Sequence, residues 1–226
     1  KLPANAMGAY YRFAVTVHVP GVGRVRNLVT DPYSVSLSAD SRRSQILDLN
    51  DPALQPTGWI SDTPPATVRQ ATDMVIYELH VRDFSISDES VPTADRGKYL
   101  AFTHDQSRGM QHLKALARAG LTDVHLLPVF DLASVPETGC LTPRPSGSAN
   151  SDSQQAAVRA MAAQDCFNWG YDPFHFNAPE GSYASDAQDG TRRVIELRQM
   201  VQALHRAGLR VGMDMVYNHM AAAGQA

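Results

Sequence analysis

The chain has 226 residues, of which 43% are hydrophobic, and its formal net charge is −3. This composition is typical of a globular protein with one large domain or somewhat more than one ordinary domain. The near-neutral charge and the lack of a Lys/Arg cluster argue against nucleic acid as a partner, and no apolar run in the sequence is long enough to cross a bilayer.

Residues 1–50 are predicted to contain an antiparallel β region. Apolar side chains recur at every second position from Tyr11 to Val19, which predicts a strand with one buried face. The segments PGVG and DPYS predict turns, and SQILDLN predicts a last short strand. We expect these residues to form the trailing part of a β-sandwich.

The pattern changes after residues 51–72, which are rich in proline, lack periodicity and predict a linker. The segments MVIYELHV, DVHLLPVF and LRVGMDMVYNH predict three strands, the first of them buried on both faces. GMQHLKALARAG and TRRVIELRQMVQALHRAG predict helices that end at Gly120 and Gly208. This order gives two βαβ units with a parallel sheet, so the predicted fold class is α/β.

The connection over residues 131–190 is far longer than an ordinary loop between a strand and a helix. It begins with polar sequence, for which we predict a short helix near Gln155, and ends with FNWGYDPFHFNAPEGSYAS. Loops at the carboxyl ends of parallel strands build the active sites of α/β folds. The aromatic segment and the strand end DMVYNH are therefore expected on the same face.

Side chains in these two segments suit a sugar ligand. The ring of Tyr171 can stack on the apolar face of a sugar, and the adjacent Asp172 can accept hydrogen bonds from hydroxyl groups. Composition alone slightly favours another interpretation, in which Trp169, Tyr171 and Phe174 pack as a small hydrophobic cluster under a long loop. The position of His219 at a strand end suits a functional histidine as well as a packed one.

The remaining polar residues have structural interpretations. The charged residues of YELHVRDF are expected to form a buried ion-pair cluster, and Asp214 is expected to be buried in its strand with a partner such as an arginine. Asp214, Asn218 and His219 supply too few oxygens for a hard metal ion, so no metal site is predicted. For Cys140 and Cys166 a disulfide and two free thiols both stay open.

Four segments in this order, YELHVRDFS, VHLLPVFD, FNWGYDPFHFNAPEGSYAS and MDMVYNH, resemble the bacterial pullulanases. These are starch-debranching members of the α-amylase superfamily, in glycoside hydrolase family 13. NWGYDP with PEGSYA is specific for the pullulanase-like branch, whereas the DxVYNH pattern marks only the superfamily. The resemblance implies that residues 73–226 form about the first three strands of a catalytic (β/α)8 TIM barrel. It also implies that residues 1–50 end a starch-binding-like sandwich.

The implied activity is cleavage of α-1,6-glucosidic linkages in pullulan, amylopectin and limit dextrins with a retaining mechanism. Tyr171 matches the ring that stacks on the glucose at the cleavage point, and Asp172 matches a carboxylate that shapes the same subsite. His219 matches the imidazole that binds the 6-hydroxyl of that glucose. Supporting positions are Asp214, Asn218 and Trp169. The nucleophile and the acid/base of a retaining glycosidase match no residue of this chain, so the catalytic residues are unknown.

Other functions stay open at this point. An isoamylase or a glycogen branching enzyme is one alternative, and a non-catalytic glucan-binding protein is another. The expected partner is an α-glucan polysaccharide, no cofactor is required, and calcium dependence of the full-length protein is left open. Localisation is unknown, with secretion or the cell surface favoured over the cytoplasm. Because both ends look cut, we expect an internal piece of a longer protein, inactive and not stable by itself.

Overall fold

The computed structural model describes residues 6–222. The strands are β1 (Tyr10–Tyr11), β2 (Phe13–Val19), β3 (Gly23–Val29), β4 (Ser44–Gln45), β5 (Ile76–Leu79), β6 (Asp123–Leu126), β7 (Phe130–Leu132), β8 (Pro173–Pro179) and β9 (Arg210–Met213). The α-helices are α1 (Val81–Ser85), α2 (Arg108–Arg118), α3 (Ser153–Met161) and α4 (Gly190–Arg206). Short 3-10 helices lie at Ala39–Ser41, Pro52–Leu54, Trp59–Ser61, Ala71–Asp73, Thr93–Asp95, Tyr99–Thr103 and Ala162–Gln164.

A parallel sheet with the strand order β5-β6-β9 lies at the centre of the fold. Helix α2 precedes β6 and helix α4 precedes β9, so the predicted order of strands and helices is confirmed. The Ser107 hydroxyl accepts a hydrogen bond from the Met110 N–H at 3.2 Å, which caps the start of α2. Gly120 and Gly208 follow α2 and α4 with positive φ angles, as predicted for the ends of these helices.

The main hydrophobic core lies between this sheet and the helices. Its fully buried members include Tyr99, Phe102, Met110, Leu113, Val124, Leu126, Met200, Leu204 and Leu209. Helix α2 buries Met110 and Leu113, whereas the buried face of α4 also includes Arg193 and Glu196. Among residues 6–222, no helix is long and apolar enough to cross a membrane.

Two predictions of burial are wrong. Strand β5 was expected to be buried on both faces, yet Ile76 is 48% exposed and Tyr77 is also exposed. The reason is that β5 is an edge strand with one neighbour, β6, in the described sheet. Strand β2 pairs with β3 around the predicted PGVG turn, but its expected buried face is exposed as well, because this hairpin forms a two-stranded sheet.

Three strands are shorter than the sequence pattern indicates. The segment DVHLLPVF is divided at Pro128 into β6 and β7, since proline cannot donate the backbone hydrogen bond that a strand needs. Strand β9 ends at Met213, so Asp214 follows the strand instead of lying within it. SQILDLN contributes only Ser44–Gln45, which pairs with β1.

The long connection between β6 and α4 is well structured. Strands β7 and β8 pair antiparallel, and α3 coincides with the predicted short helix. Cys140 and Cys166 form a disulfide that closes the segment carrying α3. The sequence had left this pairing open.

Residues 51–72 fold into 3-10 turns that lie against α4. The Arg198 guanidinium donates to the carbonyl oxygens of Leu54 at 2.7 Å and Leu49 at 2.9 Å, and His205 lies 2.7 Å from the Asp62 carboxylate. The part of this segment up to Asp62 is therefore docked on α4, while the domain boundaries at residues 50 and 72 stay predictions.

Candidate functional site

The aromatic turn before β8 meets the segment that follows β9. The Tyr171 hydroxyl donates to the Asp214 carboxylate at 2.7 Å. The His219 Nε2 atom lies 2.7 Å from the Tyr171 carbonyl oxygen, and its Nδ1 atom lies 3.1 Å from the Asn218 amide nitrogen. A carbonyl oxygen only accepts, so the Nε2 atom carries the proton and Nδ1 accepts from Asn218. The two segments expected on one face thus touch each other.

Gly170 allows the turn that presents Tyr171. Its φ is +83°, and a Cβ atom at this position would lie 3.0 Å from the Pro128 ring. Asp172 then ties the turn to the residues after β7, because its carboxylate accepts from the Ser134 N–H at 2.8 Å. Its carbonyl oxygen accepts from the Ala133 N–H at 3.1 Å. Asp172 therefore shapes the turn through its own hydrogen bonds.

The aromatic side chains of the turn are exposed. Trp169 is 66% exposed and Tyr171 is 42% exposed, and Phe174 is exposed to a similar extent. The interpretation of these rings as a packed cluster is therefore wrong. Phe167 is the ring that anchors the turn, since it contacts Trp169 edge-on at 5.6 Å and stacks on His80 at 5.8 Å between ring centroids.

Asp214 differs from the prediction in both burial and partner. It is exposed and accepts from Tyr171, whereas a buried position with an arginine was expected. The cause is the early end of β9 at Met213, which leaves Asp214 at the surface. The hydrogen bond to Asp214, with a smaller effect of burial, raises the pKa of Tyr171 to about 12.

The expected buried ion-pair cluster of YELHVRDF is also wrong. Glu78 and Asp83 are exposed, and Asp83 pairs with Arg82 at 2.9 Å. His80 is the more buried member of the group, and its Nε2 atom lies 2.8 Å from the Asn168 carbonyl oxygen. Burial lowers the pKa of His80. This histidine therefore supports the aromatic turn through its contacts with Asn168 and Phe167.

A buried charged cluster escaped the sequence analysis. Within residues 6–222, three carboxylates offer oxygen atoms within 4.8 Å of one another, from Asp131, Glu137 and Glu180. Arg193 pairs with two of these carboxylates, so we do not interpret the group as a metal site. One sequence signal was available: Arg193 precedes Leu197 by four residues and so lies on the apolar face of α4.

The chain has a mixed α/β fold and is similar, in both sequence and structure, to the pullulanases. It is 42% identical to the pullulanase of Klebsiella aerogenes over 98% of this chain and 24% of that protein. It is 43% identical to pullulanase 1, chloroplastic, of Arabidopsis thaliana over 96% of this chain and 23% of that protein.

A solved structure agrees with this similarity. The crystal structure of Klebsiella pneumoniae pullulanase complexed with maltotriose superimposes with a TM-score of 0.89 and 41% identity, over 98% of this chain and 25% of that one. No family profile matches the sequence. The chain spans about a quarter of the length of the curated relatives that it matches.

Proposed function

We propose that the protein containing this chain is a debranching glycoside hydrolase. It cleaves α-1,6-glucosidic linkages in pullulan, amylopectin and limit dextrins with retention of configuration. The observation that carries this proposal is the similarity to pullulanases along 98% of the chain, including one solved with maltotriose. Its substrate and partner is an α-glucan.

The proposal extends to the architecture. Strands β5, β6 and β9 would be the first three strands of a (β/α)8 barrel formed by residues 73–226 and the rest of the protein. Residues 1–50 would end a starch-binding-like sandwich, and residues 51–72 would link the two. The parallel order of β5, β6 and β9 supports the barrel assignment, because barrel strands alternate with helices in this order.

Tyr171 is the proposed stacking platform for the glucose at the cleavage point. Its hydroxyl is held by Asp214, so the ring has a defined orientation before the sugar arrives. An exposed ring that is already oriented loses little conformational entropy when it binds, which favours affinity. Asp172 shapes the turn through its hydrogen bond with the Ser134 N–H. Trp169 lies in the same turn, and its ring is also exposed.

His219 is proposed to bind the 6-hydroxyl of the same glucose. Both of its ring nitrogens have hydrogen-bond partners in the chain, at Tyr171 and Asn218. A sugar hydroxyl would therefore replace one of these partners or share the proton of Nε2. Asn218 and Asp214 support the site by holding the histidine and the tyrosine in place.

The catalytic step needs two carboxyl groups on opposite sides of the scissile bond. Asp172 and Asp214 already accept hydrogen bonds that shape the site, so we assign neither as the nucleophile or the acid/base. These two groups are proposed to lie outside the present chain. Residues 1–226 alone are accordingly expected to show no hydrolysis of pullulan.

Digestion of pullulan by the whole protein tests the activity. We expect maltotriose as the product, whereas transfer of glucan chains would indicate a branching enzyme. Failure to cleave any glucan, with retained binding, would indicate a non-catalytic glucan-binding protein. Either of these two results would contradict the proposal.

The Tyr171→Ala variant tests the stacking role. Removing the buried contact of an aromatic ring costs on the order of 1.5–3 kcal/mol, so kcat/KM on branched glucan should fall about 10- to 150-fold. Ile60→Ala is the control, because Ile60 is 80% exposed and lies outside both the site and the starch-binding-like segment. Equal kinetics of the two variants would exclude the platform.

A further inference from the structure

The buried charged cluster lies where α4, the antiparallel strand pair β7 and β8, and the segment around Asp40 meet. Arg193 is 0% exposed, and its Nη2 atom lies 2.9 Å from the Glu137 carboxylate. Its Nη1 atom lies 3.4 Å from the Asp131 carboxylate and donates to the Pro179 carbonyl oxygen at 3.0 Å. One guanidinium thus pairs with two carboxylates.

Glu180 is the third carboxyl group, and it is also 0% exposed. Its two oxygens accept from the backbone N–H groups of Leu132 and Ser182, each at 2.8 Å. These donors are neutral, so they do not cancel a negative charge. An ionised Glu180 would therefore add an uncompensated charge beside two other carboxylates, which is costly away from water.

Other titratable groups surround the cluster from each neighbouring element. On β8, the His175 Nδ1 atom lies 2.7 Å from the Asp131 carboxylate, and its Nε2 atom lies 2.8 Å from the Thr30 hydroxyl. Tyr99 donates to the Glu180 carbonyl oxygen at 3.1 Å. The remaining groups that face the cluster are Tyr183 and Asp40.

We propose that this cluster holds one proton at neutral pH, on Glu180. The protonated cluster would then act as a pH-sensitive clamp that fixes the paired strands β7 and β8 to α4 and to the segment around Asp40. Three ionised carboxyl groups and one arginine would carry a net charge of −2, and a proton on Glu180 reduces it to −1. Gly181 leaves the necessary room, since a Cβ atom there would collide with Arg193 and Glu137.

The titration behaviour of the cluster supports the same assignment. Burial, followed by the charges of Glu137 and Asp131, raises the pKa of Glu180 to about 8. Burial also raises the pKa of Glu137, although Arg193 opposes this shift. Burial lowers the pKa of Arg193, but the surrounding carboxylates outweigh it and the net shift is upward. The proton therefore resides on Glu180 and the arginine stays charged.

A short path connects the clamp to the aromatic turn. Glu180 accepts from the Leu132 N–H, and the next two residues, Ala133 and Ser134, donate to Asp172. Asp172 directly follows Tyr171. Ionisation of Glu180 would thus act on the strand end that holds this turn, because the new charge would repel the Asp131 and Glu137 carboxylates. Any effect on glucan binding rests on the proposed function, whereas the clamp itself does not.

The direction of the pH effect follows from linkage. An unfolded glutamate has a pKa near 4.5 and the folded Glu180 a pKa of about 8, so the folded state binds the extra proton between these values. Stability from this proton is complete below the unfolded pKa and is lost as the pH rises through the folded pKa. Above about pH 8 both states are deprotonated and this contribution no longer changes.

The test compares the pH dependence of unfolding of the whole protein with that of its Glu180→Gln variant, in EDTA. Relative to the variant, the folding equilibrium constant of the wild type should fall by up to tenfold per pH unit between pH 6 and 8 and level off above. Glu89→Gln, at an exposed glutamate, should keep the wild-type dependence.

Infrared spectroscopy of the wild type provides a readout that needs no variant. A protonated-carboxyl band present at pH 7 should disappear by pH 10. Parallel pH profiles of wild type and Glu180→Gln, or no carboxyl band at pH 7, would overturn the clamp. A calcium-dependent stabilisation that requires Glu180 would also overturn it. Loss of pullulan cleavage with the clamp intact would instead count only against the proposed function.

Discussion

Tyr171 combines an exposed ring with a hydroxyl group that is fixed by a hydrogen bond. The ring offers an accessible face, while the hydrogen bond to Asp214 sets its direction. In the proposed site, Asp214 would hold the tyrosine in this orientation. The buried partner expected for Asp214 is thus replaced by a surface partner from a different segment.

Replacing Asp214 by asparagine should lower the pKa of Tyr171 from about 12 toward its ordinary value of 10.0. The carboxylate disfavours the negatively charged phenolate, and a neutral amide does not. Ring-labelled tyrosine followed by NMR measures this titration, and Tyr171→Phe assigns the signal. Glu78→Gln should cause a smaller decrease, because Glu78 acts only through space. An unchanged titration in Asp214→Asn would refute the hydrogen bond.

Among the elements, the connection between β6 and α4 is held together by a disulfide and by a buried charged cluster. The disulfide joins Cys140 and Cys166, and backbone hydrogen bonds between Leu141 and both Gln164 and Cys166 lie beside it. The buried cluster around Arg193 holds its inner part. Helix α3, between the two cysteines, has no buried residue, so we expect its order to depend on the disulfide.

Replacing both cysteines by serine should therefore loosen the segment between them. A cross-link across 26 residues stabilises by about 3 kcal/mol in the chain-entropy account, and here the loss should be concentrated locally. Hydrogen exchange over residues 141–165 should become faster, while exchange in α4 should be unaffected. Wild type under a reducing agent should match the variant. Protection unchanged in both would show that the segment is ordered without its cross-link.

At the scale of the whole molecule, one core between the β5-β6-β9 sheet and the helices supplies most apolar burial. The β2–β3 hairpin and strand β5 instead keep large apolar side chains exposed. The same leucine-to-alanine substitution should therefore lower the free energy of unfolding much more in this core than in the β2–β3 hairpin.

Leu204→Ala should destabilise the protein by about 2–5 kcal/mol, because it leaves a cavity in a fully buried part of the core. Leu28→Ala, at a side chain that is 55% exposed, should change the stability by only about 0.5 kcal/mol. Equilibrium denaturation measures both. Comparable losses would show that Leu28 is covered by other parts of the protein.

The sequence by itself determined the features that depend on neighbouring residues. Apolar spacing located α2 and α4, glycines marked their ends, and the alternation of strands with helices indicated a parallel sheet. The segments FNWGYDPFHF and DMVYNH also identified the turn and the strand end that meet. These signals are local, because backbone dihedral preferences and side-chain periodicity act over a few residues.

Burial and pairing depend on the three-dimensional arrangement of the elements. Arg193 lies on the apolar face of α4, but nothing in the residues around Arg193, Glu137 or Glu180 marks them as partners. The exposure of Ile76 depends on which strands flank β5, and the partner of Asp214 depends on where β9 ends. Free energy of burial and of ion pairing is set by contacts between distant elements, so a residue's own sequence neighbourhood does not contain it.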